Sequence, residues 1–253
     1  MNALFWRREI MTNNSLVSSI RERYQKIQSQ IADAAQAVGR NPDSVKLLVV
    51  TKKQPLFVVE ATIAAGIRIL GENYPEEAVQ KQETLGEKNK VEWHMIGHVQ
   101  SRKARLVAEN FAFLHSLDSL KLARRLNRFS AGAEKTLPVL LEFNVGGELS
   151  KSGWDASDES RWEVFLPDVE EILSLSNLEV RGLMTMPPFY QDAELTRPYF
   201  RQLRKLRDYL SDHYPLNQWN QLSMGTSGDF RIAIEEGATF VRVGQAIVGS
   251  RPL

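Results

Sequence analysis

The chain has 253 residues, 43% of them hydrophobic, with 32 basic against 31 acidic side chains. A net charge of +1 offers no field of one sign to gather nucleic acid or an anionic membrane surface. Cysteine is absent, which excludes disulfides, thiolate metal sites, iron–sulfur clusters and cysteine nucleophiles, and suits a cytoplasmic protein.

In chain order, MNALFWRREI carries Arg7, Arg8 and Glu9 where a secretory signal needs its apolar stretch. Residues 1–14 therefore read as a flexible extension, with Met1 or Met11 as alternative starts. Nowhere do about 18 apolar residues run together, so no membrane span is expected. Leu16, Ile20, Tyr24, Ile27, Ile31, Ala34 and Val38 recur at three- and four-residue spacing. That period predicts a long amphipathic helix, with Asn14 or Ser15 as its cap and Gly39 at its end.

Short apolar or β-branched runs follow, most of them separated by stretches of helical period. They are Leu47 to Thr51, Arg68 to Gly71, Glu92 to Ile96, Phe111 to Ser116, Pro138 to Asn144, Glu179 to Thr185, Gln218 to Met224 and Thr239 to Val243. Eight strand-plus-helix units in roughly 200 residues fit a closed (β/α)8 TIM barrel occupying 15–253 as one domain. An open doubly wound sheet is the alternative. It is weakened because TKKQP follows the first strand where a dinucleotide site needs glycines.

A parallel barrel brings its strand ends to one mouth, where polar groups form the site. Those ends supply Lys52, Glu72 and Asn73, His94 and Gly97, His115, Asn144, Met184 and Thr185, Ser223 and Gly225, and Arg242 with Gly244. Lys52 and Lys53 end a strand apolar on both faces. A lysine that continues inward there loses water and is a candidate amine nucleophile, its solution pKa of about 10.4 lowered by burial. The alternative is that both lysines snorkel outward, and periodicity does not choose between them.

The turn SMGTSGD, from Ser223 to Asp229, precedes a predicted helix from about Phe230 to Glu236. Small residues and a helix start favour a phosphate, although a capped turn would look the same. The glycine turn at Gly244 and Gln245 follows the next strand, and barrels often bind phosphate between the loops after strands seven and eight. Arg242 points opposite to Val241 and Val243, either into the mouth beside the ligand or outward to a helix carboxylate. His94 fits a ligand contact or a satisfied core histidine.

Metal binding is not expected, because His94 and His98 share no helix. A hydrolase triad is not expected either, for want of a Gly-x-Ser-x-Gly elbow. VGGELSKSGW, carrying Lys151, reads as a lid or a solvated loop.

Taken together, VVTKKQP, GENYPEE, WHMIGHVQSRK, KSG at 151–153, RGLMTM, LSMGTSGDF and VRVGQAIVG resemble the pyridoxal phosphate homeostasis (YggS/PROSC) family over roughly Ser15 to Gly249. The resemblance implies a single barrel of the alanine racemase N-terminal domain type, with an added N-terminal helix. It also implies pyridoxal 5′-phosphate (PLP) held as a Schiff base on Lys52, rather than Lys53. Arg242 would face the pyridine nitrogen, Ser223, Gly225 and Gly244 would take phosphate-turn positions, and Asn73 and Met184 would line the cofactor. Gln245 stands where the family usually has threonine, Gln54 where a second lysine is common, and Arg102 where asparagine is usual.

The implied function is intracellular PLP homeostasis, with effects on amino-acid and keto-acid balance, in a cytoplasmic monomer whose other partners would be PLP-dependent apoenzymes. A PLP-dependent racemase or other PLP enzyme is the alternative. A racemase of this fold takes one base from a second, β-rich domain, and the chain ends at Leu253, just past its eighth strand. The expectation is therefore a carrier. A barrel binding an ordinary sugar phosphate is a third possibility, one that leaves Lys52 without a covalent role.

Overall fold

Leu47, Leu48 and Val49 are all buried, as expected of a strand with helices on one side and a barrel interior on the other. The computed structural model describes residues 3–86 and 90–250, with side chains from Asn14 onward. Its strands are β1 (Lys46–Val50), β2 (Ile69–Glu72), β3 (Glu92–Met95), β4 (Phe113–Leu117), β5 (Leu137–Asn144), β6 (Trp154–Asp155), β7 (Leu178–Met184), β8 (Gln221–Thr226) and β9 (Phe240–Val243). Each neighbouring pair is parallel. β4 pairs with β5 and β1 with β9, so every strand but β6 takes part in one closed barrel. Closure excludes the doubly wound alternative.

The helices are α1 (Ala3–Ala37), α2 (Leu56–Ala64), α3 (Pro75–Leu85), α4 (Ala104–Asn110), α5 (Leu120–Gly132), α6 (Leu166–Leu173), α7 (Arg197–His213), α8 (Phe230–Glu235) and α9 (Gln245–Val248). Most apolar side chains pack between this helical layer and the outer face of the barrel, whereas Phe113, Leu140 and Met184 form a separate small cluster.

The helix α9 is a single turn, too short to cover β9 and β1. α1 does this instead, packing on α2, α8 and α9 through a stripe that includes Ile20, Ile27, Ile31 and Ala35. The N-terminal helix thus takes the outer place that would otherwise fall to a helix after the last strand. Arg40 fastens its end, donating from Nη1 to Ile234 O (2.6 Å) and from Nη2 to Ala238 O (2.8 Å). Arg21 Nη2 donates to Ala64 O (3.2 Å) at the C-terminal end of α2, where carbonyls lack helical partners.

Two expectations need correction. The helix passes unbroken through Asn14 and Ser15, so neither caps it; residues ahead of them, such as Ala3, Leu4 and Glu9, are themselves helix formers. β8 starts at Gln221 rather than Gln218. β6 was not anticipated, being two residues paired to the end of β5. The extension expected over 1–14 falls largely on side chains outside those described.

Candidate functional site

The C-terminal ends of the strands enclose a cavity of about 380 Å³. Lys52, Asn73, Met184, Arg242, Gly244 and Gln245 line it; Ser223 and Gly225 do not.

The two lysines part at the turn after β1. Lys52 lines the cavity, whereas Lys53 is exposed, adopts φ 57° and places its ammonium 5.5 Å from the centre of the Tyr74 ring. Several bonds hold the backbone on either side of Lys52. Thr51 N donates to Gly71 O (3.0 Å), Thr51 Oγ1 to Glu72 Oε1 (2.8 Å), and Lys53 N to Glu77 Oε1 (2.9 Å). Lys81 Nζ donates to Thr51 O (3.1 Å) and Glu72 Oε1 (2.8 Å), and also bonds Glu77. Burial pushes the Glu72 carboxyl up, and Lys81 pulls it back. A buried ion pair contributes little net stability, but this one fixes the peptide that carries Lys52.

Arg242 points inward, the first of the two orientations left open by its sequence. It is 5% exposed. Nη1 donates to Ser223 O (2.8 Å) and Oγ (2.7 Å), and Nη2 to Thr185 O (2.9 Å). Burial lowers its pKa to about 10, which still leaves it cationic at neutral pH. Ser223 lies behind this guanidinium, bonded to His115 Nδ1 (2.8 Å), and His115 Nε2 meets His94 Nδ1 (2.9 Å). Both histidines, nominated at strand ends, are buried and do not line the cavity. Thr185 Oγ1 is likewise spent on Phe143 O.

Gly225 serves conformation. At φ +90° a Cβ there would come within 2.5 Å of Ala233 Cβ and 3.0 Å of Phe230 Cα. This lets the turn fold onto α8 and present Thr226 and Ser227 to the cavity. Asp229 Oδ1 accepts from Thr226 N (2.6 Å) and Oγ1 (3.0 Å), so the turn is closed on itself before any ligand arrives.

The wall opposite β1 is β5, four strands away in either direction. Glu142 faces the cavity from it, and burial, with Asp118 nearby, raises its carboxyl to about 7. This residue was missed, although a lone carboxylate within LPVLLEFN invites the alternation argument applied to Arg242. Lys151, from the loop flagged as a lid, lines the cavity and crosses its mouth. Its Nζ donates to Met186 O (3.0 Å) and Pro187 O (3.3 Å) on the loop after β7. Asn144 holds that lid's base, Nδ2 donating to Glu148 O (2.8 Å). His98 pairs with Asp118 at 2.6 Å on the same side.

A phosphorylated aldehyde fits these groups, which are an amine, a fixed cation, hydroxyls and a glycine turn. One atom asks for a ligand. Asn73 Oδ1 is buried without a partner, in a residue that lines the cavity. Gly97 permits this arrangement, since a Cβ there would lie 2.6 Å from Asn73 O. Among the described residues no group of three or more His, Asp or Glu could hold a metal, and no helix is long and apolar enough to cross a membrane.

The family described as alanine racemase, N-terminal domain, matches residues 23–252. Pyridoxal phosphate homeostasis proteins of Vibrio alginolyticus and Pseudomonas aeruginosa are each 42% identical, over 93% of this chain and 99% and 97% of theirs. The solved structure of PipY from Synechococcus elongatus PCC7942 with PLP bound is 34% identical. It covers 91% of this chain and 100% of its own, with a TM-score of 0.77. An alanine racemase from Clostridium difficile shares the fold at 14% identity and a TM-score of 0.66, the match covering 58% of that chain. The chain belongs to the pyridoxal phosphate homeostasis proteins, built on the alanine racemase N-terminal barrel.

Proposed function

We propose that this protein binds PLP in the cavity at the barrel mouth, as a Schiff base on Lys52, and takes part in intracellular PLP homeostasis. The observation that carries the reading is the convergence of Lys52, Arg242, Gly244 and the Thr226–Ser227 turn on one cavity. The PLP-bound structure of the Synechococcus elongatus relative supports it.

PLP supplies an aldehyde that an amine captures reversibly. The residues of this chain divide the remaining work. Lys52 provides the amine, held in register by the Thr51, Glu72 and Lys81 bonds. Thr226, Ser227, Gly244 and Gln245 receive the phosphate, while Asn73 and Met184 flank the ring. Ser223 and Gly225 support the phosphate turn from behind. Arg242 faces the ring nitrogen as a fixed cation and disfavours its protonation. That weakens the electron-withdrawing power on which PLP turnover depends, so the protein holds the cofactor and releases it to PLP-dependent apoenzymes. We place it in the cytoplasm as a monomer, acting on amino-acid and keto-acid balance through cofactor supply.

A turnover reading has one specific support, the acidic Glu142 across the mouth from β1. Two measurements separate the readings. Loaded protein should show a visible band that borohydride bleaches, with the label recovered on Lys52; a Lys52→Ala variant keeping that adduct elsewhere would refute the assignment. L-amino acids incubated with loaded protein should keep their chirality and their Cα hydrogen in deuterium oxide. Loss of either would establish an enzyme.

A further inference from the structure

A row of buried polar groups crosses the barrel interior, and its histidines have no part in the function proposed above. From the cavity it runs Arg242 Nη1, Ser223 Oγ (2.7 Å), His115 Nδ1 (2.8 Å) and, from His115 Nε2, His94 Nδ1 (2.9 Å). His94 Nε2 then faces Glu92 Oε2 at 3.5 Å, at the first residue of β3 on the opposite rim of the barrel. Ser223 and His115 are fully buried and His94 is 2% exposed.

The direction of the row is imposed at the Arg242 end. At the other end His94 Nε2 makes no hydrogen bond among the described residues but lies 3.5 Å from the Glu92 carboxylate, which favours a proton there. Arg242 only donates, so Ser223 Oγ accepts from it and turns its own O–H to His115 Nδ1. The proton of neutral His115 is then on Nε2 and is donated to His94 Nδ1. This leaves the His94 proton on Nε2, facing the Glu92 carboxylate. The reverse order would point the His94 lone pair at that carboxylate and deprive the Ser223 hydroxyl of His115 Nδ1 as its acceptor. Burial lowers the pKa of both histidines, which keeps them neutral as the order requires.

We propose that His115, backed by His94, is a positioning residue for Arg242. Its acceptor nitrogen fixes the Ser223 hydroxyl so that a lone pair always meets the guanidinium, and the guanidinium is thereby held at its angle to the cofactor ring. This rests on Arg242 facing that ring.

Packing alone is the rival explanation, since the His115 ring centre lies 4.8 Å from Phe113, 5.0 Å from Phe240 and 5.1 Å from His94. Two substitutions separate them. His115→Gln keeps an acceptor for Ser223 and a donor for His94 but loses the ring; His115→Phe keeps the ring and loses both. In PLP titrations followed by absorbance, H115Q should bind within about threefold of wild type. H115F should bind about tenfold more weakly, as expected for one hydrogen bond to a charged network. The opposite order, or equal loss in both, would overturn the proposal. Nitrogen-15 NMR of the unmodified, cofactor-free protein gives a second check: both histidines should be neutral with the proton on Nε2. A proton on His115 Nδ1 would sink the one-way order. Arg242→Met binding PLP as tightly as wild type would instead overturn the reading of Arg242, leaving the tautomers unchanged.

Discussion

Glu142 has a carboxyl raised to about 7 by burial, beside Asp118, with Arg242, His98 and Lys151 only partly offsetting it. In the cofactor-free protein it therefore binds a proton between the ordinary carboxylate range and pH 7 that the unfolded chain has already lost. Stability due to this group falls as pH rises through that window and levels off above it. Glu142→Gln removes the effect. The variant should gain on wild type between pH 5 and pH 8, by on the order of 2–3 kcal/mol, measured as the difference in urea unfolding at the two pH values. A constant difference would show that Glu142 is charged throughout. Legibility at this scale follows the reach of each interaction. The candidacy of the lysine pair follows from the doubly apolar strand before it, whereas alternation left Arg242 two orientations, and only its bonds to Ser223 and Thr185 on neighbouring strands choose the inward one. The split between Lys52 and Lys53 needed the positive φ at Lys53, which Glu77 on α3 secures from 24 residues away.

The β8–α8 turn shows how an element can serve a site without touching it. Gly225→Ala would force a Cβ into Ala233 and onto a backbone that favours glycine. The expected loss is about 2–4 kcal/mol, read by denaturant unfolding, together with weaker PLP binding because Thr226 and Ser227 move with the turn. Unchanged stability would mean that the turn accommodates a methyl group. The strands were legible because each is a short apolar run flanked by turn signals. β6 was not, since two residues carry no period. Ser223 was nominated for the phosphate turn and sits instead behind Arg242, where the β8–β9 register shifts between Ser223 and Thr226. Strict alternation cannot carry an argument across such an irregularity.

In the molecule as a whole, α1 packs on α2, α8 and α9 as part of the outer helical layer. Ile20 is fully buried, so Ile20→Ala should cost about 2–5 kcal/mol, seen as a lower urea midpoint with one cooperative transition. A separate early transition would show that α1 melts independently. Eight repeating units announced closure. Nothing in the period of α1 announced its place, because an apolar stripe states that a face is buried and not against what. That place has a consequence for synthesis. β1 is bonded to β9, and α1 packs on α8 and α9. At roughly 5–20 residues per second, translation delivers these partners some 10–40 s after β1 leaves the ribosome. Through that interval the nascent chain carries an open strand edge and an uncovered apolar helix, so holding by a chaperone, more than the intrinsic folding rate, should set the yield of soluble protein.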